Sequence, residues 1–350
     1  MSISPEHYCL GGLMKDIDKE SNPEDIDSKD ETICKSSIEQ NYSSNDSTLS
    51  SNFSPYIFSP SLFQVEKNSE EQSSQSSQFT KKNILMTFNN QKSTKQLQKS
   101  LVGASEETID NIINELSGLF STIIKNKNGN YFCSDLFKIC KKEQRIKILN
   151  ELRTTISDDC TDEYGTHPIQ HLIELSSSEE EFKLLLFSFN DFNKILMASL
   201  NQNGSFVVQK LIVHIPEKLR MNFNIIFIKL FCILARDMYG VCTVKKFIGY
   251  TKNELIIKQL LNSLMINFVN IANNQYGNYL IQYILEKWWK TEEGKYLKKM
   301  IVSKFQILST NHYSAYICDL FLKLCNNEER KILNSSYNNY KTIGKKQVKK

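Results

Sequence analysis

Hydrophobic side chains recur at steps of three and four residues over most of the chain after residue 80. The segment 106–124 shows the pattern at Ile109, Ile112, Ile113, Leu116, Phe120 and Ile123, and the segment 219–234 repeats it. This spacing places apolar side chains along one face of an α-helix. The strict alternation of a half-buried strand is absent from the sequence. The pattern therefore predicts an all-α fold, in which Pro216 ends one helix and starts the next.

A second pattern lies within the first: a motif of one small residue followed by polar and aromatic residues returns along the chain. Its clearest copy is Gly277-Asn278-Tyr279, with Gln282 one helical turn later. Residues four apart lie on one face of a helix, so Asn278 and Gln282 are expected to point the same way. The hydrophobic residues of this copy are left to fill a core, and they are Leu280, Ile281, Ile284 and Leu285.

The motif has a regular spacing. The residue after the small one stands at positions 94, 130, 166, 205, 241, 278 and 315, with spacings of 36, 36, 39, 36, 37 and 37 residues. A period in this range predicts a solenoid of about seven stacked helical repeats, because a single repeat cannot bury its apolar face alone. We expect each repeat to contain a helix, a turn at the small residue and a second helix that carries the motif. A glycine at the turn is expected to close the first helix in a left-handed conformation, an advantage that Ser93 and Ser314 lack.

The first eighty residues differ in composition from the rest. They are rich in Ser, Asn, Gln and acidic residues, and such a segment cannot bury enough apolar surface to order itself. We predict a disordered tail over 1–80, a repeat domain over 81–335 and a basic C-terminal tail over 336–350. The first 80 residues hold 14 acidic and 5 basic residues, which leaves 38 basic and 25 acidic residues for the remainder. A basic folded part fits a partner with phosphates, and it equally fits lysine-rich outer helices that keep the array soluble.

Other features restrict the class of protein. None of the nine cysteines forms a pair at zinc-binding spacing, and most lie in apolar runs, as expected of reduced thiols inside cells. We expect no secretory signal, and the most apolar run, 225–235, is too short to span a bilayer. The sequence contains no phosphate-binding loop, zinc-protease motif or nucleophile elbow. We therefore predict a soluble binding protein that is not an enzyme and has no cofactor, no metal and no membrane partner.

The motif resembles that of a known family. At their spacing near 36 residues, Gly129-Asn-Tyr131, Gly165-Thr-His-Pro-Ile-Gln170, Gly204-Ser-Phe-Val-Val-Gln209 and Gly277-Asn-Tyr-Leu-Ile-Gln282 resemble the Pumilio-homology (PUF) repeats of sequence-specific RNA-binding proteins. The resemblance covers roughly residues 86–335. It implies a right-handed crescent in which the second helix of each repeat reads one base of single-stranded RNA. Two residues on one face of that helix meet the edge of the base, and the residue between them stacks on its plane.

The resemblance assigns a role to each motif position. The implied base-edge residues are Thr94, Gln98, Asn130, Ser134, Thr166, Gln170, Ser205, Gln209, Val241, Lys245, Asn278, Gln282, Ala315 and Asp319. The implied stacking residues are Lys95, Tyr131, His167, Phe206, Cys242, Tyr279 and Tyr316. For the four aromatic rings among these, burial in the core is the alternative, since that is the commoner fate of an aromatic residue at helical spacing.

The same resemblance implies a target. The Asn278–Gln282 pair resembles a uracil reader, the pairs of repeats one, three and four imply adenine, and Asp319 implies guanine. Repeats two and five lack the usual glutamine, and Lys245 is instead a candidate for a phosphate contact. With antiparallel binding, the expected core is 5′-GUNAANA-3′.

The implied role is post-transcriptional control through messenger RNA 3′-UTR elements in the cytoplasm, by translational repression or decay. We expect a monomer, with deadenylation or repressor proteins as partners. Two alternatives stay open: a nucleolar relative in ribosome maturation, which reads RNA structure more than sequence, and an α-solenoid scaffold that binds proteins.

Overall fold

A computed structural model describes residues 84–327 and Arg330. The tails predicted over 1–80 and 336–350 lie outside the described residues, as do 81–83, 331–335, Cys9 and Cys34. The domain boundaries therefore stay predictions.

Every regular element in the described part of the chain is helical, as the spacing of apolar residues predicts. Residues 84–88 are helical and lead into α1. The α-helices that follow are α1 (Gln91–Ser100), α2 (Glu106–Glu115), α3 (Phe120–Ile124), α4 (Gly129–Ile139), α5 (Lys142–Leu152), α6 (Ile156–Asp159), α7 (Thr166–Leu175), α8 (Glu179–Ser188), α9 (Phe192–Leu200), α10 (Gly204–His214), α11 (Arg220–Leu234), α12 (Gly240–Tyr250), α13 (Glu254–Ala272), α14 (Gly277–Trp288), α15 (Glu292–Thr310) and α16 (Ala315–Leu324). A short 3-10 helix, Glu217–Leu219, precedes α11.

The helices form two layers. The helices that carry the motif, called the marked helices below, each pack against the next one along the chain, and they are α1, α4, α7, α10, α12, α14 and α16. The other layer, called the outer layer below, is built from helices that also pack in chain order: α2, α5 and α8, followed by α9, α11, α13 and α15. The predicted all-α array of stacked repeats is thus confirmed.

The core lies between these layers. In α14 the predicted core residues are all buried, and they are Leu280, Ile281, Ile284 and Leu285. Trp288 at the end of this helix is also buried, and the ring of Trp289 packs edge-on against Phe321 with 5.7 Å between centroids. The contact between Trp289 and Phe321 joins repeats six and seven, as expected of an array in which neighbouring repeats cover each other's apolar faces.

The first helix of a repeat is interrupted in repeats two to four. The helix predicted over 106–124 divides into α2 and α3, because Gly118 adopts a φ of 79°. The Glu151 carboxylate of α5 accepts hydrogen bonds from the Gly118 N–H (2.8 Å) and the Phe120 N–H (2.9 Å). The break is therefore held by the following repeat. After Pro216 the short 3-10 helix leads into α11, so the helix predicted over 219–234 forms from Arg220 onwards.

The expectation that motif glycines close a helix in a left-handed conformation is wrong. Among the described glycines, positive φ angles occur only at Gly103 and Gly118. Gly277 is instead the first residue of α14, and a Cβ there would collide with the carbonyl oxygen of Ile271, six residues earlier. At Gly204 and Gly240 the same collision would occur at 2.6 Å. Glycine is needed here because the start of each marked helix lies against the end of the helix before it.

Ser314 occupies the glycine position of repeat seven and solves this problem differently. Its buried hydroxyl donates to the Leu308 carbonyl, again six residues earlier, at 2.7 Å, and lies 2.7 Å from Asn273 Oδ1. We expect Ser314→Ala to lower the free energy of unfolding by about 1–2 kcal/mol, because the buried hydroxyl is lost and the Leu308 carbonyl loses its donor. Urea denaturation measures this change.

The matched control for Ser314 is Ser303→Ala in α15, whose exposed hydroxyl bonds within its own helix. Its effect should stay within about 0.5 kcal/mol. Equal losses in the two variants would show that the Ser314 hydrogen bond contributes nothing.

Helix α13 has the length and composition of a membrane span, with 19 residues and a mean hydropathy of 1.4 over an 18-residue window. In the structure its residues Leu260, Leu264 and Phe268 are buried, and it packs between α11 and α15. This apolar face therefore belongs to the core of the array.

Candidate nucleic-acid interface

A side-chain cap fixes the start of each motif. An Asn or Asp stands three residues before each small residue, and its Oδ1 accepts hydrogen bonds from the two N–H groups at the start of the marked helix. These residues are Asn90, Asn126, Asp162, Asn201, Asp237, Asn274 and Asn311. Such caps satisfy N–H groups that have no partner within the helix. These caps were not predicted from the sequence, although Asn or Asp recurs at this position in every repeat.

The first base-edge position of each motif is buried except in repeat seven. The exposed fraction of the residue is 6% or less at Thr94, Asn130, Thr166, Ser205, Val241 and Asn278. Ala315 is half-buried. The second base-edge position is half-buried at Gln98, Gln170, Gln209, Lys245 and Gln282, exposed at Asp319 and buried at Ser134. The two positions therefore offer different amounts of surface to a ligand.

In repeat six the two base-edge residues lie on one helix face, as predicted, and they also contact each other. Asn278 Nδ2 donates to the carbonyl oxygens of Asn274 (3.1 Å) and Gln275 (2.9 Å). Asn278 Oδ1 accepts a hydrogen bond from Gln282 Nε2 at 2.9 Å. The buried asparagine thus orients the glutamine, whose amide keeps its Oε1 acceptor and one N–H for a ligand.

Repeats three and four use a hydroxyl in place of the asparagine amide. Gln170 Nε2 donates to Thr166 Oγ1 at 3.0 Å, and Thr166 Oγ1 donates to the Asn203 carbonyl of the next repeat at 3.1 Å. In repeat four, Ser205 Oγ donates to the Gln202 carbonyl at 3.1 Å. The half-exposed amide of Gln209 stands one turn further on. Each of these repeats presents one glutamine amide above a buried hydroxyl.

The predicted stacking residues lie at the surface. The exposed fraction is 64% for Tyr131, 57% for Tyr279, 54% for Tyr316 and 37% for Phe206. His167 and Lys95 are exposed, and Cys242 is half-buried. Burial in the core, the alternative for these aromatic rings, is therefore wrong. An exposed ring beside a half-exposed amide is what a base that stacks and pairs at once requires.

Three other repeats depart from this arrangement. In repeat one, Gln98 Nε2 donates to Asp135 Oδ2 of repeat two at 2.8 Å. In repeat two, Asn130 donates to the Asn126 and Lys127 carbonyls, but Ser134 is buried and no glutamine completes the pair. In repeat seven the exposed ring of Tyr316 packs edge-on against His312, with 6.1 Å between centroids.

Burial favours the neutral forms of two thiols and two imidazoles on the marked helices. Burial raises the pKa of Cys318 to about 12 and also raises the pKa of Cys133. Burial, with Lys138 nearby, lowers the pKa of His171, and burial with Lys210 nearby lowers that of His214. At neutral pH these four groups therefore add no charge to the interface.

The protein is a stack of helical repeats, and several repeats present an amide and an exposed ring or cation at the same motif positions. This arrangement defines a helical-repeat binding protein. A family model described as the Pumilio-family RNA binding repeat matches residues 97–117, 120–153, 160–186, 194–222 and 267–288. The chain belongs to the Pumilio family. The matched segments contain the motifs of repeats two, three, four and six, whereas Val241 and Ala315 lie outside them. Since this family is one of RNA binding repeats, the prediction of a binding protein that is not an enzyme is supported.

Curated relatives agree with this assignment. Pumilio homolog 12 of Arabidopsis thaliana is 26% identical over 242 residues, which cover 67% of this chain and 39% of that protein. The suppressor protein MPT5 of Saccharomyces cerevisiae is 25% identical over 199 residues, which cover 54% of this chain and 23% of that protein. The chain thus spans less than half the length of these relatives.

Solved structures show the same fold. The Puf4 RNA binding domain, bound to the HO endonuclease RNA 3′ UTR recognition sequence, matches with a TM-score of 0.65 and 20% identity over 72% of this chain and 77% of that one. The RNA-binding domain of yeast Puf5p, bound to SMX2 RNA, matches with a TM-score of 0.62 and 19% identity over 73% of this chain and 74% of that one. The right-handed Pumilio-type solenoid expected from the sequence is thereby confirmed.

Proposed function

We propose that this protein binds single-stranded RNA along its marked helices. Each repeat that has both a half-exposed glutamine and an exposed ring, called a complete reader below, binds one base. The observation that carries this proposal is the register of repeats three, four and six. Each of these repeats places a half-exposed glutamine amide one turn after an exposed ring, and the helices belong to one series in which each marked helix packs against the next. Solved domains of this fold are bound to RNA, which supports the same ligand here.

The chemistry of the complete reader in repeat six suits uracil. With one N–H already bonded to Asn278, the Gln282 amide offers one donor and one acceptor. The uracil edge presents a carbonyl acceptor beside the N3–H donor, which matches that pair. The adjacent Tyr279 ring supplies a stacking platform worth about 1–3 kcal/mol per base. The edge of adenine presents its donor and acceptor in the reverse order. The buried residue that contacts the glutamine amide must therefore determine whether the amide is oriented for uracil or for adenine.

The expected core is 5′-GUNAANA-3′, read antiparallel to the chain. Repeats three and four supply the two central adenines through Gln170 and Gln209, and the exposed carboxylate of Asp319 is suited to the N–H groups of guanine. The biological role proposed with this target is control of messenger RNA translation or decay through 3′-UTR elements in the cytoplasm. Relatives bound to 3′ UTR sequences support that role.

The test is selection from a randomised single-stranded RNA pool with the full chain, followed by sequencing of the retained RNA. We expect enrichment of U followed two positions later by A. Asn278→Ser copies the Ser205 and Gln209 pair of repeat four, so we expect it to change the selected base at the uracil position to adenine and to leave the other positions unchanged. This prediction rests on the buried residue setting the order of donor and acceptor.

The matched control is Asn262→Ser on the exposed surface of α13 in the outer layer, which should leave the selected motif unchanged. RNA retained without a motif would favour a reader of RNA structure, and no retained RNA would favour a protein-binding scaffold. Either result would overturn the proposed function.

A further inference from the structure

Repeat five carries the motif spacing without the groups that read a base. Val241 is apolar and buried, so it can neither orient a reader nor donate a hydrogen bond. Cys242 stands where the other repeats have a ring or a cation, and its Sγ lies 3.8 Å from the Met238 carbonyl of its own helix. The residue one turn later is Lys245, which replaces glutamine. The three motif positions of repeat five therefore offer a base no amide, no carboxylate and no aromatic ring.

Lys245 is held toward the uracil-reading repeat. Its ammonium nitrogen lies 5.4 Å from the ring centroid of Tyr283, which follows Gln282 in α14. A cation over a tyrosine ring is attracted by the electron-rich face, and this attraction limits where the flexible lysine points. The charge therefore sits between repeats five and six, beside the reader of repeat six.

Two other lysines on the marked helices form ion pairs with carboxylates, whereas Lys245 contacts a ring. Lys138 pairs with Asp135 at 3.2 Å, and Lys210 pairs with Glu174 of the preceding marked helix. Among the described residues, no carboxylate forms an ion pair with Lys245. Its positive charge is left for a ligand that approaches the marked helices.

We propose that repeat five reads no base and that Lys245 binds a phosphate of the RNA strand at this point. The proposal rests on the proposed function. It explains how the RNA strand stays bound at a repeat that has no base-reading residues. An ammonium group has three donors and no acceptor, so it suits a phosphodiester oxygen whatever base is attached. At the third position of the core the RNA is then bound through its phosphate, and any base is accepted.

The first test compares four RNAs that carry the selected motif and differ only at its third position. We expect the full chain to bind all four within about threefold of one another. Lys245→Ala should weaken all four equally, by about three- to tenfold. It should also reduce the slope of log affinity against log salt by about 0.7, the loss of one phosphate contact on a single strand. The matched control is Lys258→Ala in α13 of the outer layer, which should change neither quantity.

A gain of specificity provides the second test. Val241→Ser combined with Lys245→Gln copies the Ser205 and Gln209 pair of repeat four. We expect this double variant to prefer adenine at the third position by about tenfold and to keep uracil at the second position, with a salt slope reduced as in Lys245→Ala.

Two results would overturn the inference while leaving the proposed function intact. One is a preference of the wild-type chain for a single base at the third position by more than about tenfold, since Lys245 would then donate to a base edge. The other is an unchanged salt slope in Lys245→Ala. If the wild-type chain selects no motif, the proposed function fails and the inference falls with it.

Discussion

Glu181→Ala is expected to lower the free energy of unfolding by about 3–5 kcal/mol, because it leaves a buried arginine without its partner. The Glu181 side chain is fully buried, and its Oε1 accepts a hydrogen bond from Arg145 Nε at 2.7 Å. Its Oε2 accepts from the N–H groups of Ser177 (3.0 Å) and Ser178 (2.9 Å), which directly precede α8. One carboxylate thus joins α5 of repeat three to the first turn of α8. Urea denaturation measures the loss.

The control for this prediction is Glu180→Ala, which removes the exposed carboxylate beside Glu181. It should change the free energy of unfolding by less than about 0.5 kcal/mol. Similar losses in the two variants would mean that the buried ion pair does not join the repeats. Arg145 has a further contact, since its guanidinium donates to the Cys140 carbonyl at 2.7 Å, so Arg145→Ala should also destabilise the protein.

The stability that Glu181 supplies depends on pH. Burial acts to raise the pKa of Glu181, but the hydrogen bonds from Ser177, Ser178 and Arg145 outweigh it, and the pKa in the folded state lies below the ordinary value. A carboxyl group with a lowered folded pKa stabilises the protein above its unfolded pKa, about 4.3 for glutamate. The difference between wild type and Glu181→Ala should therefore be constant near neutral pH and shrink as the pH falls below about 4.

The periodic part of the fold could be predicted from the sequence. Each repeat must bury its own apolar face against a neighbour, so the three- and four-residue steps identify both the helices and the core residues of α14. The exposed rings could be predicted for a related reason. Tyr131, Phe206, Tyr279 and Tyr316 occupy the same place in the motif, and a place that recurs on one helix face has one environment.

The features that could not be predicted depend on contacts between segments that the local pattern does not show. The motif glycines look like helix ends, yet Gly277 is needed because the Ile271 carbonyl lies against it. The break between α2 and α3 follows from Gly118 and from Glu151 in the next repeat. The apolar spacing passes through this break without a sign of it, since Leu116, Phe120 and Ile123 still face the core.

The sequence predicted which residues share a helix face at the candidate site. It did not predict that the two base-edge residues differ in burial and hydrogen bonding. Spacing alone places Asn278 and Gln282 on one face and suggests two equal readers. The structure makes them unequal, because Asn278 is buried and gives both of its donors to the turn before it. The acceptors of an amide group depend on the position of the carbonyl groups in the turn, and this position cannot be read from the residue types.

Removing one exposed ring is the most direct test of how the interface binds RNA. We expect Tyr279→Ala to weaken binding of the selected RNA by about 1–3 kcal/mol, or about five- to 150-fold in affinity, because the base loses its stacking platform. Tyr279→Phe keeps the ring and should retain most of the affinity. Fluorescence anisotropy with a labelled RNA measures these differences at fixed salt, which must be held constant because phosphate contacts are salt-dependent.

The chain offers a matched control for this ring. The exposed fraction is 57% for Tyr279 in the marked helix α14 and 55% for Tyr296 in α15 of the outer layer. Loss of either exposed ring should leave the free energy of unfolding within about 0.5 kcal/mol of wild type. Only Tyr279→Ala should lower RNA affinity. An equal loss of RNA affinity with Tyr296→Ala would mean that RNA does not distinguish the two layers. The proposal that the marked helices form the RNA-binding surface would then be wrong.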